Sequence, residues 1–502
     1  MILILGGTTE GRLAVRVTDA AGKTYWYSTR DEMQQIECLH GEHITGALDE
    51  SAMAGFCVSH GIRLLIDAGH PFASELHRTV TSVAEMLDIP AIRVERTYPE
   101  RDGSIRWCTD YPDAIRRLMA DGITRLLALT GVQTIAPLKP YWQENECWFR
   151  ILHREDSQEK AIRQGFSPDH LVYYEDSDTA ALISSLNPQA ILTKESGESG
   201  GFDEKVAAAA SAGIPVYAVR RPEMPEGFVT VTGENGLRRA IEQLLPGFFP
   251  LRTGFTTGAC ATAAAKAALL TLLGREVGES LPITFPNGEE LALPIAKSER
   301  GRCGAAGSSR QCVCAPGGKG SAARGTLERS SVSESAYAVV IKDAGDDPDV
   351  TNGREIVVNV ALSDEPGIHF LQGEGVGRVT LPGLGIPVGE PAVNKVPRDM
   401  ITRELSALYD GGLDVTISVP GGRELALKTF NPKLGVVDGI SIIGTSGIVR
   451  PFSSEAFVEA LRKEMEVAIA VGVPQIVINS GAKSEQFLRA RFPDLQPQGF
   501  IH

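Results

Sequence analysis

The first half of the chain alternates short apolar segments with glycine-rich turns and helical patterns. Residues 2–5 are apolar and lead into Gly6-Gly7-Thr8-Thr9, after which apolar residues recur at helical spacing as far as Gly22. The same unit returns several times before residue 222. Because parallel strands are joined by crossover helices, this alternation predicts an α/β fold with two doubly wound, Rossmann-like lobes.

A chain of 502 residues is too long for a single hydrophobic core, and about two to four domains are expected. A Pro/Gly-rich linker at 246–250 follows a helix and divides the chain into domains 1–245 and 251–502. Inside the second domain, residues 297–335 are rich in Gly, Ser, Ala and Arg and contain few large apolar residues. Such a segment cannot build a core, so we expect a disordered insertion or a stretch translated in a shifted frame.

The charge and the cysteine content exclude several classes of function. A formal net charge of −14 argues against non-specific binding to nucleic acid or to an anionic membrane. No apolar run approaches the ~20 residues of a membrane span, and MILILGG is typical of a strand, not of a signal peptide. The eight cysteines show no paired framework, and Cys303, Cys312 and Cys314 lack a fourth zinc ligand. We therefore expect a cytoplasmic protein with free thiols and without a metal site.

Three turns in the first half carry residue types that bind a dinucleotide. Gly6-Gly7-Thr8-Thr9 would present N–H groups and the positive end of a helix to a phosphate, although a tight βα turn explains the same residues. Ser28 and Arg30 follow the next strand, where an Arg beside hydroxyls favours the 2′-phosphate of NADP. Thr130-Gly131 ends a strand of the second lobe. These residues are the candidates for cofactor binding.

Other polar residues of this half also stand at strand ends. Asp67 and His70 follow an apolar strand directly, where open α/β sheets bind ligands, and local capping by Asp67 is the alternative. Arg150 lies inside a short strand, and Lys194 and Ser196 follow another. We expect these side chains to meet at the carboxyl edges of the sheets.

Together these segments resemble the precorrin-6A (or cobalt-precorrin-6A) reductase family over about residues 1–245. The matching stretches are LGGTTEGR (5–12), DAGHPFA (67–73), TG (130–131), TKESGESGG (193–201) with Lys205, and IPVYAVRRP (214–222). The resemblance implies a two-lobed reductase with NADPH or NADH on the glycine turn and a tetrapyrrole between the lobes. It implies substrate contacts for Asp67, Arg150, Lys194 and Ser196, and His70 as a proton source.

The second half is marked by the stretch KDAGDDPDVTNG at 342–353, between two apolar segments. Its carboxylates, Asp343, Asp346, Asp347 and Asp349, would repel one another unless a cation offsets them. Asp, Gly, Pro and Asn are also turn residues, so a solvated acidic turn is the alternative. The Asp spacing and the missing Glu at the loop end do not fit an EF-hand.

The Ala-rich helix after the linker has a polar start. In LRTGFTTGACATAAAKAA (251–268), Thr256 or Thr257 would cap the helix, and free N–H groups near Gly258 would bind a carboxylate or phosphate. An ordinary capped helix explains the same residues. Cys260, on the first turn, is expected to serve packing.

Three further predictions concern local structure. Asp203 is a plausible N-cap of the helix 204–212. Alternation in 415–419 and 425–427 predicts a hairpin. The helix 454–470 is expected to pack one apolar face into the core, formed by Phe457, Leu461, Met465 and Ala468.

The second half resembles the cobalt-precorrin-5B C1-methyltransferase family of anaerobic vitamin B12 synthesis. RTGFTTGACATAAAKAA, KDAGDDPDVTNG, GEGVGRVTLPGLGIPVGEPAVN (373–394) and TFNPKLGVVDGISIIGTSGIVRPFS (429–453) carry the resemblance. It implies an α/β (α+β) domain that is not a typical Rossmann methyltransferase, with S-adenosylmethionine as methyl donor. It implies that the sulfonium, the ribose or a proton is served by Asp343, Asp346 and Asp347, and that substrate is bound by Thr256, Thr257, Gly258 and Lys342.

The two resemblances imply a fused enzyme of cobalamin synthesis that acts on small-molecule tetrapyrroles, with other enzymes of the pathway as further partners. Members of the methyltransferase family normally continue beyond the last matching stretch, so the second domain is expected to be C-terminally truncated. The alternative is an active reductase whose second half only binds or scaffolds the corrinoid.

Overall fold

The elements of the first half follow the predicted alternation of strands and helices. The computed structural model describes residues 1–30, 36–98, 100–101, 103–174, 178–304, 332–479 and 482–501. The chain divides into two compact units, Met1–Phe248 and Phe249–His502, and the boundary falls inside the predicted linker 246–250. Each unit has its own sheets and core.

The first unit contains two lobes that the chain visits in turn. The first lobe is built from β1 (Ile2–Leu5), α1 (Thr9–Asp19), β2 (Tyr25–Thr29), β3 (Gly41–Thr45), α2 (Glu50–His60), β4 (Leu64–Asp67), α3 (Ser74–Leu87) and β5 (Ala91–Glu95). The second lobe comprises β6 (Ile105–Cys108), α4 (Tyr111–Ala120), β7 (Arg125–Ala128), α5 (Lys139–Trp142), β8 (Glu146–Ile151), α6 (Glu155–Arg163), β9 (Leu171–Tyr173), α7 (Thr179–Leu186), β10 (Ala190–Lys194), α8 (Phe202–Ser211) and β11 (Val216–Val219). The chain then returns to the first lobe with β12 (Phe228–Thr232) and α9 (Gly233–Leu244).

Both sheets of this unit are six-stranded and parallel. Their strand orders are β12-β5-β4-β1-β2-β3 and β6-β11-β10-β7-β8-β9. The winding reverses between β1 and β4 in the first sheet and between β7 and β10 in the second, which are the points where such sheets bind ligands. Every residue of β1, β4 and β11 is buried, as expected for strands covered by helices on both faces. The prediction of a two-lobed, doubly wound α/β region is confirmed.

The chain crosses between the lobes twice, once from β5 to β6 and once from β11 to β12. Each crossing delivers an edge strand: β6 pairs with β11 in the second sheet, and β12 pairs with β5 in the first. We call these connections, residues 96–104 and 220–227, the first and second crossing segments. The second lobe is therefore a continuous stretch of sequence inserted into the first, which is completed only after the chain returns with β12.

The second unit has a different architecture, which agrees with the expectation of a domain unlike a Rossmann methyltransferase. Its elements are β13 (Gly254–Phe255), α10 (Thr257–Leu272), β14 (Ser280–Thr284), β15 (Glu290–Pro294), β16 (Lys297–Gly304), β17 (Val332–Ile341), β18 (Glu355–Ser363), β19 (Ile368–Gln372), β20 (Arg378–Val379), α11 (Lys395–Ser406), β21 (Gly412–Ser418), α12 (Gly422–Ala426), β22 (Val436–Val437), β23 (Ile448–Val449), α13 (Ser454–Ala470), β24 (Val477–Ile478), α14 (Ala482–Arg491) and β25 (Phe500–Ile501). The main sheet has the order β16-β17-β18-β21-β19 and is antiparallel except for the β19–β21 pair.

Helix α10 lies in the centre of this unit, against β17, β18 and α11. Most of its residues are fully buried, and seven of them are alanines that allow close approach to the sheet: Ala259, Ala261, Ala263, Ala264, Ala265, Ala267 and Ala268. Cys260 is also buried, and burial raises the pKa of its thiol to about 12. The packing role predicted for Cys260 agrees with both observations.

The structure corrects several local predictions. Residues 297–304 and 332–335 belong to β16 and β17, which pair with each other, so the predicted disordered insertion 297–335 was wrong at both ends. Its centre, residues 305–331 with Cys312 and Cys314, lies outside the described residues. The predicted hairpin was also wrong, because a short helix (α12) follows β21.

Two predictions about helices were wrong in detail. The backbone of Gly201, in the left-handed region, begins α8, and the predicted N-cap Asp203 lies inside the first turn. Helix α13 has the predicted bounds, but Phe457 is 61% exposed, so the predicted apolar face does not pack along its whole length. The periodicity of a sequence identifies the apolar face of a helix, but it does not show whether another element packs against that face.

Candidate functional site

Thr8 joins the two turns that meet at the switch point of the first sheet. Its hydroxyl caps α1 by accepting from the Gly11 N–H (3.2 Å) and donates to the Ala68 carbonyl (2.7 Å). The turn after β1 is thereby fixed against the turn after β4. Thr9 begins α1 and is exposed.

The two glycines of the first turn have different roles. A Cβ on Gly6 would lie 2.3 Å from the Tyr27 ring, so close packing requires glycine there. Gly7 has a φ of +98° and faces open space, while its N–H donates to the Tyr27 hydroxyl (3.0 Å). Room for a phosphate therefore exists beside Gly7 and Thr9, at the N-terminus of α1. Gly6 serves packing, contrary to the prediction of a direct cofactor contact.

The other predicted cofactor residues differ in exposure. Ser28 is buried in β2, and its carbonyl accepts from the Gly6 N–H (2.9 Å). Thr130 is buried as well and shares a hydrogen bond of 2.5 Å with the Thr134 hydroxyl. Arg30 is exposed at the end of β2, and Gly131, with a φ of +81°, faces open space. Arg30 and Gly131 are accessible to a ligand, whereas Ser28 and Thr130 support the turns.

Asp67, predicted to contact substrate, is fully buried, and its carboxylate has partners within the protein. Its carboxylate bonds His77 Nδ1 (2.5 Å) and Arg93 Nη1 (2.9 Å), and it accepts from the Gly69 N–H (2.9 Å). Burial alone would raise the pKa of Asp67, but the hydrogen bond and charge of His77 and the charge of Arg93 hold it below its usual value. The local-capping alternative therefore applies, and Asp67 shapes the loop that carries His70.

His70 lies on this loop and is neutral near pH 7. Burial and the positive charges of Lys194 and Arg96 lower the pKa of the imidazole to about 3. The Phe72 N–H donates to His70 Nδ1 (3.1 Å), which places the proton of the neutral ring on Nε2. An imidazolium at position 70 is thus not available at neutral pH, and any proton from His70 would have to leave a neutral ring.

Four cations gather at the carboxyl edge of the second lobe, and we call Arg96, Arg150, Lys194 and Lys205 the cationic cluster. Arg96, Arg150 and Lys205 have 8%, 5% and 6% of their surface exposed. Lys205 Nζ donates to the Gly200 carbonyl (2.8 Å), and Arg150 Nη1 donates to Thr179 Oγ1 (3.0 Å). Lys194, at the end of β10, stands 5.4 Å from the ring centre of Phe72 in the first lobe. The cluster therefore borders the cleft between the lobes.

The pKa values of the two lysines show that their ammonium groups repel neighbouring cations. Burial, followed by the charge of Arg96, lowers the pKa of Lys194 to about 8. Burial also lowers the pKa of Lys205 to about 8, where attraction to Glu204 is opposed by Lys194, Arg150 and Arg96. Neither lysine forms an ion pair with any residue that the structure describes. Such a site gains free energy when an anion enters it.

Arg96 connects the cationic cluster to the glycine turn. Its guanidinium pairs with Glu10 on the first turn of α1 (Nη2–Oε2 2.8 Å) and donates to the Ser196 carbonyl (2.8 Å). Ser199 Oγ also donates to Glu10 (2.6 Å), so α1 of the first lobe is bonded to the 196–199 turn of the second. Ser196 is buried, and its hydroxyl donates to the Gly200 carbonyl (3.3 Å), so its predicted substrate contact is not supported by the geometry.

In the second unit, one counter-charge of the acidic stretch comes from the stretch itself. Lys342 is 1% exposed, and its ammonium pairs with Asp349 and donates to Thr351 Oγ1 (2.6 Å). Burial alone would raise the pKa of Asp349, but the Lys342 charge and the hydrogen bonds from Lys342 and Thr351 hold it below its usual value. The ammonium of Lys342, which was predicted to bind substrate, is thus buried and already paired within the loop.

Asp343 and Asp346 hold the segment before α10. Both carboxylate oxygens of Asp343 bond the Arg252 guanidinium (2.6 and 2.9 Å), and Asp346 Oδ2 accepts from the Arg252 N–H (2.6 Å). The Phe255 N–H donates to the Asp343 carbonyl (2.7 Å), and a Cβ on Gly254 would lie 2.0 Å from the Ala344 backbone. Both predicted catalytic carboxylates thus bind the chain itself.

Asp347 differs from its neighbours. Burial and the charge of Asp349 raise the pKa of Asp347, against the opposing effects of Lys342 and a hydrogen bond from the Phe452 N–H. It is half-buried and forms no ion pair with a described residue. Asp347 and the exposed Asp346 are thus the predicted catalytic aspartates whose carboxylates have no cationic side-chain partner among the described residues, and Asp347 is the half-buried one of the two.

The start of α10 is already satisfied by the protein. Thr256 caps the helix by accepting from the Ala259 N–H (3.1 Å), and the Gly258 N–H donates to the Ile443 carbonyl (2.9 Å). Thr257 Oγ1 bonds both the carbonyl and the N–H of Ile443 (3.1 Å each). A Cβ on Gly258 would lie 2.6 Å from the Pro397 ring. The expected anion site at these three residues is therefore occupied by the 440–447 loop, as the alternative of an ordinary capped helix required.

The two halves match two protein families. Residues 1–240 match the family described as precorrin-6x reductase CbiJ/CobK, and residues 247–321 and 315–451 match CbiD. The chain joins a CbiJ/CobK domain to a CbiD domain. Both families belong to cobalamin biosynthesis, one as reductase and one as C-methyltransferase.

Each half is similar to known proteins. The CbiD domain is similar to the cobalt-precorrin-5B C(1)-methyltransferase of Prosthecochloris aestuarii, with 47% identity over 260 residues that cover 50% of this chain and 62% of the relative. Among solved structures, CobK precorrin-6A reductase is 20% identical and covers 50% of this chain and 98% of its own, with a TM-score of 0.40. The CbiD protein of Archaeoglobus fulgidus is 29% identical and covers 50% of this chain and 70% of its own, with a TM-score of 0.27.

The chain spans about 62% of the length of that methyltransferase relative, and 61% of the next one. Within the described residues, none of the helices combines the length and the apolar character needed to cross a membrane.

Sequence reasoning assigned no role to four residues of these sites. In the CbiJ/CobK domain, Arg96 and its partner Glu10 are 86 residues apart, so nothing local connects them. Lys205, which stands among alanines on α8, was named in the resemblance to the reductase family but was given no role. In the CbiD domain, Arg252 lies beside a recognised stretch, and the excess of carboxylates at 343–349 was the available signal that a cation must meet them.

Proposed function

We propose that the chain is a bifunctional enzyme of cobalamin synthesis. The CbiD domain would methylate C1 of cobalt-precorrin-5B with S-adenosylmethionine, and the CbiJ/CobK domain would reduce the product, cobalt-precorrin-6A, to cobalt-precorrin-6B with NADPH or NADH. Since the product of the second half is the substrate of the first, the fusion raises the effective concentration of the intermediate.

The observation that carries the proposal is the cationic cluster at the cleft between two doubly wound lobes. Corrin precursors carry many acetate and propionate carboxylates. In a chain with a net charge of −14, such a polyanion must be bound by a local concentration of cations. Arg96, Arg150, Lys194 and Lys205 supply that concentration, and the lowered pKa values of both lysines indicate a site that is incomplete without an anion.

The glycine turn across the cleft fits a nicotinamide nucleotide. The cofactor supplies the hydride. Gly7 and Thr9 give room and a helix N-terminus for its phosphate, and Arg30 stands where a 2′-phosphate would be recognised. Lys194, whose pKa of about 8 leaves it protonated at neutral pH, is better suited than His70 to provide a proton to the ring. Neutral His70 can donate a hydrogen bond from Nε2 to a polar group of the substrate.

In the CbiD domain, Asp347 is the residue that we assign to the methyl-transfer site. The methyl donor supplies a sulfonium cation, and a carboxylate near that charge stabilises its binding. The raised pKa of Asp347 indicates that a nearby positive charge would be favourable, whereas Asp343 and Asp349 already pair with the cationic side chains of Arg252 and Lys342. Arg252 and Lys342 then act by holding the loop that presents Asp347.

The test is anaerobic turnover by the purified full chain. One reaction contains cobalt-precorrin-5B, S-adenosylmethionine and NADPH, and a second receives cobalt-precorrin-6A directly with NADPH. Methylation is followed by mass and nicotinamide oxidation by absorbance. Both steps are expected to run, and failure of both would reject the proposal.

A second candidate function applies to the CbiD domain alone. In this alternative the domain binds or scaffolds the corrinoid without methylating it, and the pairing of Asp343 with Arg252 and of Asp349 with Lys342 is compatible with that role. In that case the supplied cobalt-precorrin-6A is reduced, no methylated product forms from cobalt-precorrin-5B, and cobalt-precorrin-5B still binds. Asp347→Asn tests whether methylation depends on the CbiD domain. The substitution is expected to abolish methylation of cobalt-precorrin-5B and to leave reduction of cobalt-precorrin-6A unchanged.

A further inference from the structure

Glu195 lies where the two lobes are connected, directly after Lys194 of the cationic cluster. It is 3% exposed. From the first crossing segment, Arg101 binds both of its carboxylate oxygens, with Nε–Oε1 at 2.9 Å and Nη2–Oε2 at 2.8 Å. This is the bidentate geometry that makes guanidinium–carboxylate pairs both strong and directional.

The second crossing segment reaches the same carboxylate. The Arg221 N–H donates to Glu195 Oε2 (2.9 Å), and its guanidinium lies 3.7 Å from Oε1. The Arg221 guanidinium also covers the ring of Tyr98, 3.5 Å from the ring centre, so the two crossing segments contact each other beside Glu195. One carboxylate therefore fastens both connections between the lobes.

Backbone contacts extend this junction to the turn that follows Lys194. The Glu195 N–H donates to the Val219 carbonyl (2.9 Å), and the Glu198 N–H donates to the Thr97 carbonyl (3.2 Å). Gly197 has a φ of +69°, and a Cβ there would lie 2.9 Å from the same Thr97 carbonyl. The turn is thus fitted closely to the first crossing segment, and a change in the path of that segment must move the turn.

We propose that Glu195 is a positioning residue that couples the relative orientation of the two lobes to the placement of Lys194. This inference rests on the proposed reductase function. Any rotation of one lobe against the other is absorbed by the crossing segments, because they are the covalent connections between the lobes. Since Glu195 holds both segments and adjoins Lys194, closing of the cleft and alignment of the Lys194 ammonium with the substrate occur together.

The charge state of Glu195 is consistent with this role. Burial would raise its pKa, but the hydrogen bonds from Arg101 and the Arg221 N–H and the two guanidinium charges hold the pKa below its usual value. Glu195 is therefore ionised throughout the neutral range. Glu195→Gln keeps the size of the side chain and removes the charge on which both arginines depend.

The experiment compares Glu195→Gln with Glu146→Gln in the full chain. Glu146 pairs with Arg125 on the surface of the same lobe and touches neither crossing segment, which makes it a matched control. For Glu195→Gln, kcat for tetrapyrrole reduction is expected to fall at least about tenfold, with KM for NADPH within about twofold of wild type. Glu195→Asp, which restores the charge on a shorter side chain, should recover part of the loss.

Two further readouts distinguish positioning from simple stabilisation. The basic limb of the pH profile of kcat, which reports the Lys194 ammonium, should move in Glu195→Gln but not in Glu146→Gln. Hydrogen exchange of the peptides that contain Glu195–Glu198 and Arg221, measured without substrate, should become faster only in Glu195→Gln. If Glu195→Gln fails to fold, Arg101→Gln tests the same junction. The Arg101 side chain is 43% exposed, so its substitution disturbs the core less.

The inference is overturned if folded Glu195→Gln, or Arg101→Gln in its place, matches the Glu146→Gln control in kcat, pH profile and hydrogen exchange. That result is distinct from failure of the proposed function. If the wild-type chain neither binds nor reduces the tetrapyrrole, the reductase assignment itself is rejected, and with it the role of Glu195 in that reaction.

Discussion

The acidic loop of the CbiD domain and the cationic cluster of the CbiJ/CobK domain are both dense in charge, yet they are organised in opposite ways. In the loop, Asp343 and Asp349 pair with the Arg252 and Lys342 side chains and Asp346 accepts from the Arg252 backbone N–H, whereas Asp347 contacts neither residue. In the cluster, Lys194 and Lys205 make no ion pair with a described residue, and their pKa values are lowered to about 8. The difference shows that the pairing of charges, not their density in the sequence, separates a structural group from a binding group.

The largest effect is expected where a buried pair is broken inside the loop. Lys342→Met removes the partner of Asp349 and should lower the free energy of unfolding of the second unit by about 3–5 kcal/mol. Since the pKa of Asp349 is lowered in the folded state, the loss should be fully present above the pKa of an unfolded Asp and should shrink as the pH falls through the folded pKa. Thermal and denaturant unfolding at several pH values measure it.

Arg423→Met is the control, because Arg423 forms an exposed pair with Asp438, with 73% and 54% of the side chains exposed. Its effect should stay within about 0.5 kcal/mol. If the two substitutions lowered stability equally, the Lys342–Asp349 pair would contribute no more than an exposed surface pair.

A change in the cationic cluster should act on binding instead of stability. Lys194→Ala should weaken tetrapyrrole binding at least about 30-fold, as expected when one partner of a buried charge pair is lost from a complex. The free energy of unfolding should not decrease, because the substitution removes an ammonium whose burial is unfavourable and which forms no ion pair with a described residue. Titration of the tetrapyrrole by absorbance, together with melting curves, gives both quantities.

Lys160→Ala is the matched control in the same lobe, where Lys160 pairs with Asp156 on the surface of α6. Binding by this variant should equal that of wild type. A stability loss in Lys194→Ala, with binding preserved, would place Lys194 with the structural charges of the loop.

The pH dependence of binding should distinguish the cluster from the loop without any substitution. With pKa values of about 8, Lys194 and Lys205 lose their charge as the pH rises above 8, so tetrapyrrole affinity should fall there by up to about tenfold per pH unit for each lysine. Lys194→Arg should remove the contribution of Lys194, because a guanidinium stays charged. Affinity that is flat between pH 7 and about pH 9.5 would contradict the assignment.

The smallest effect is expected at Asp347. Because its pKa is raised in the folded state, the ionised carboxylate slightly destabilises the loop once the pH exceeds the usual Asp value. Asp347→Asn should therefore change the free energy of unfolding by no more than about 0.5 kcal/mol, in the stabilising direction, and the gain should vanish at lower pH.

Asp346→Ala provides the contrast within the same loop, since Asp346 accepts from the Arg252 N–H and alanine has no side-chain acceptor. It should lower stability by about 1 kcal/mol, which equilibrium unfolding resolves. If Asp347→Asn proved the more destabilising of the two, Asp347 would belong to the structural set.

The sequence predicted those parts of the fold that depend on neighbouring residues, such as strands, turns and helix caps. Continuous apolar strands and glycine turns gave the two lobes, and Thr256 was identified as one of two candidate caps. The exposed face of α13 and the short helix at Gly422 were not predictable, since both depend on what the rest of the unit places opposite them.

The sites were predictable only in outline, for the same reason. Asp67, Lys342 and Thr257 were correctly recognised as unusual residues in turns, but whether each meets a ligand or the protein is decided by His77, Asp349 and Ile443. Of these partners, only Asp349 is close in sequence. Arg96 illustrates the limit, because its pairing with Glu10 bridges the two lobes and becomes visible only when both are folded.

The late addition of β12 to the sheet of the first lobe has a consequence for protein synthesis. Strand β5 has four buried residues out of five, whereas β12, which covers it, is only partly buried and provides an edge that tolerates water. While the ribosome is making residues 105–219, β5 is the terminal strand of an unfinished sheet, and an apolar edge of that kind invites pairing with other nascent chains. The reductase half should depend most on chaperones during that interval, and this dependence should end once residues 228–232 have emerged and paired.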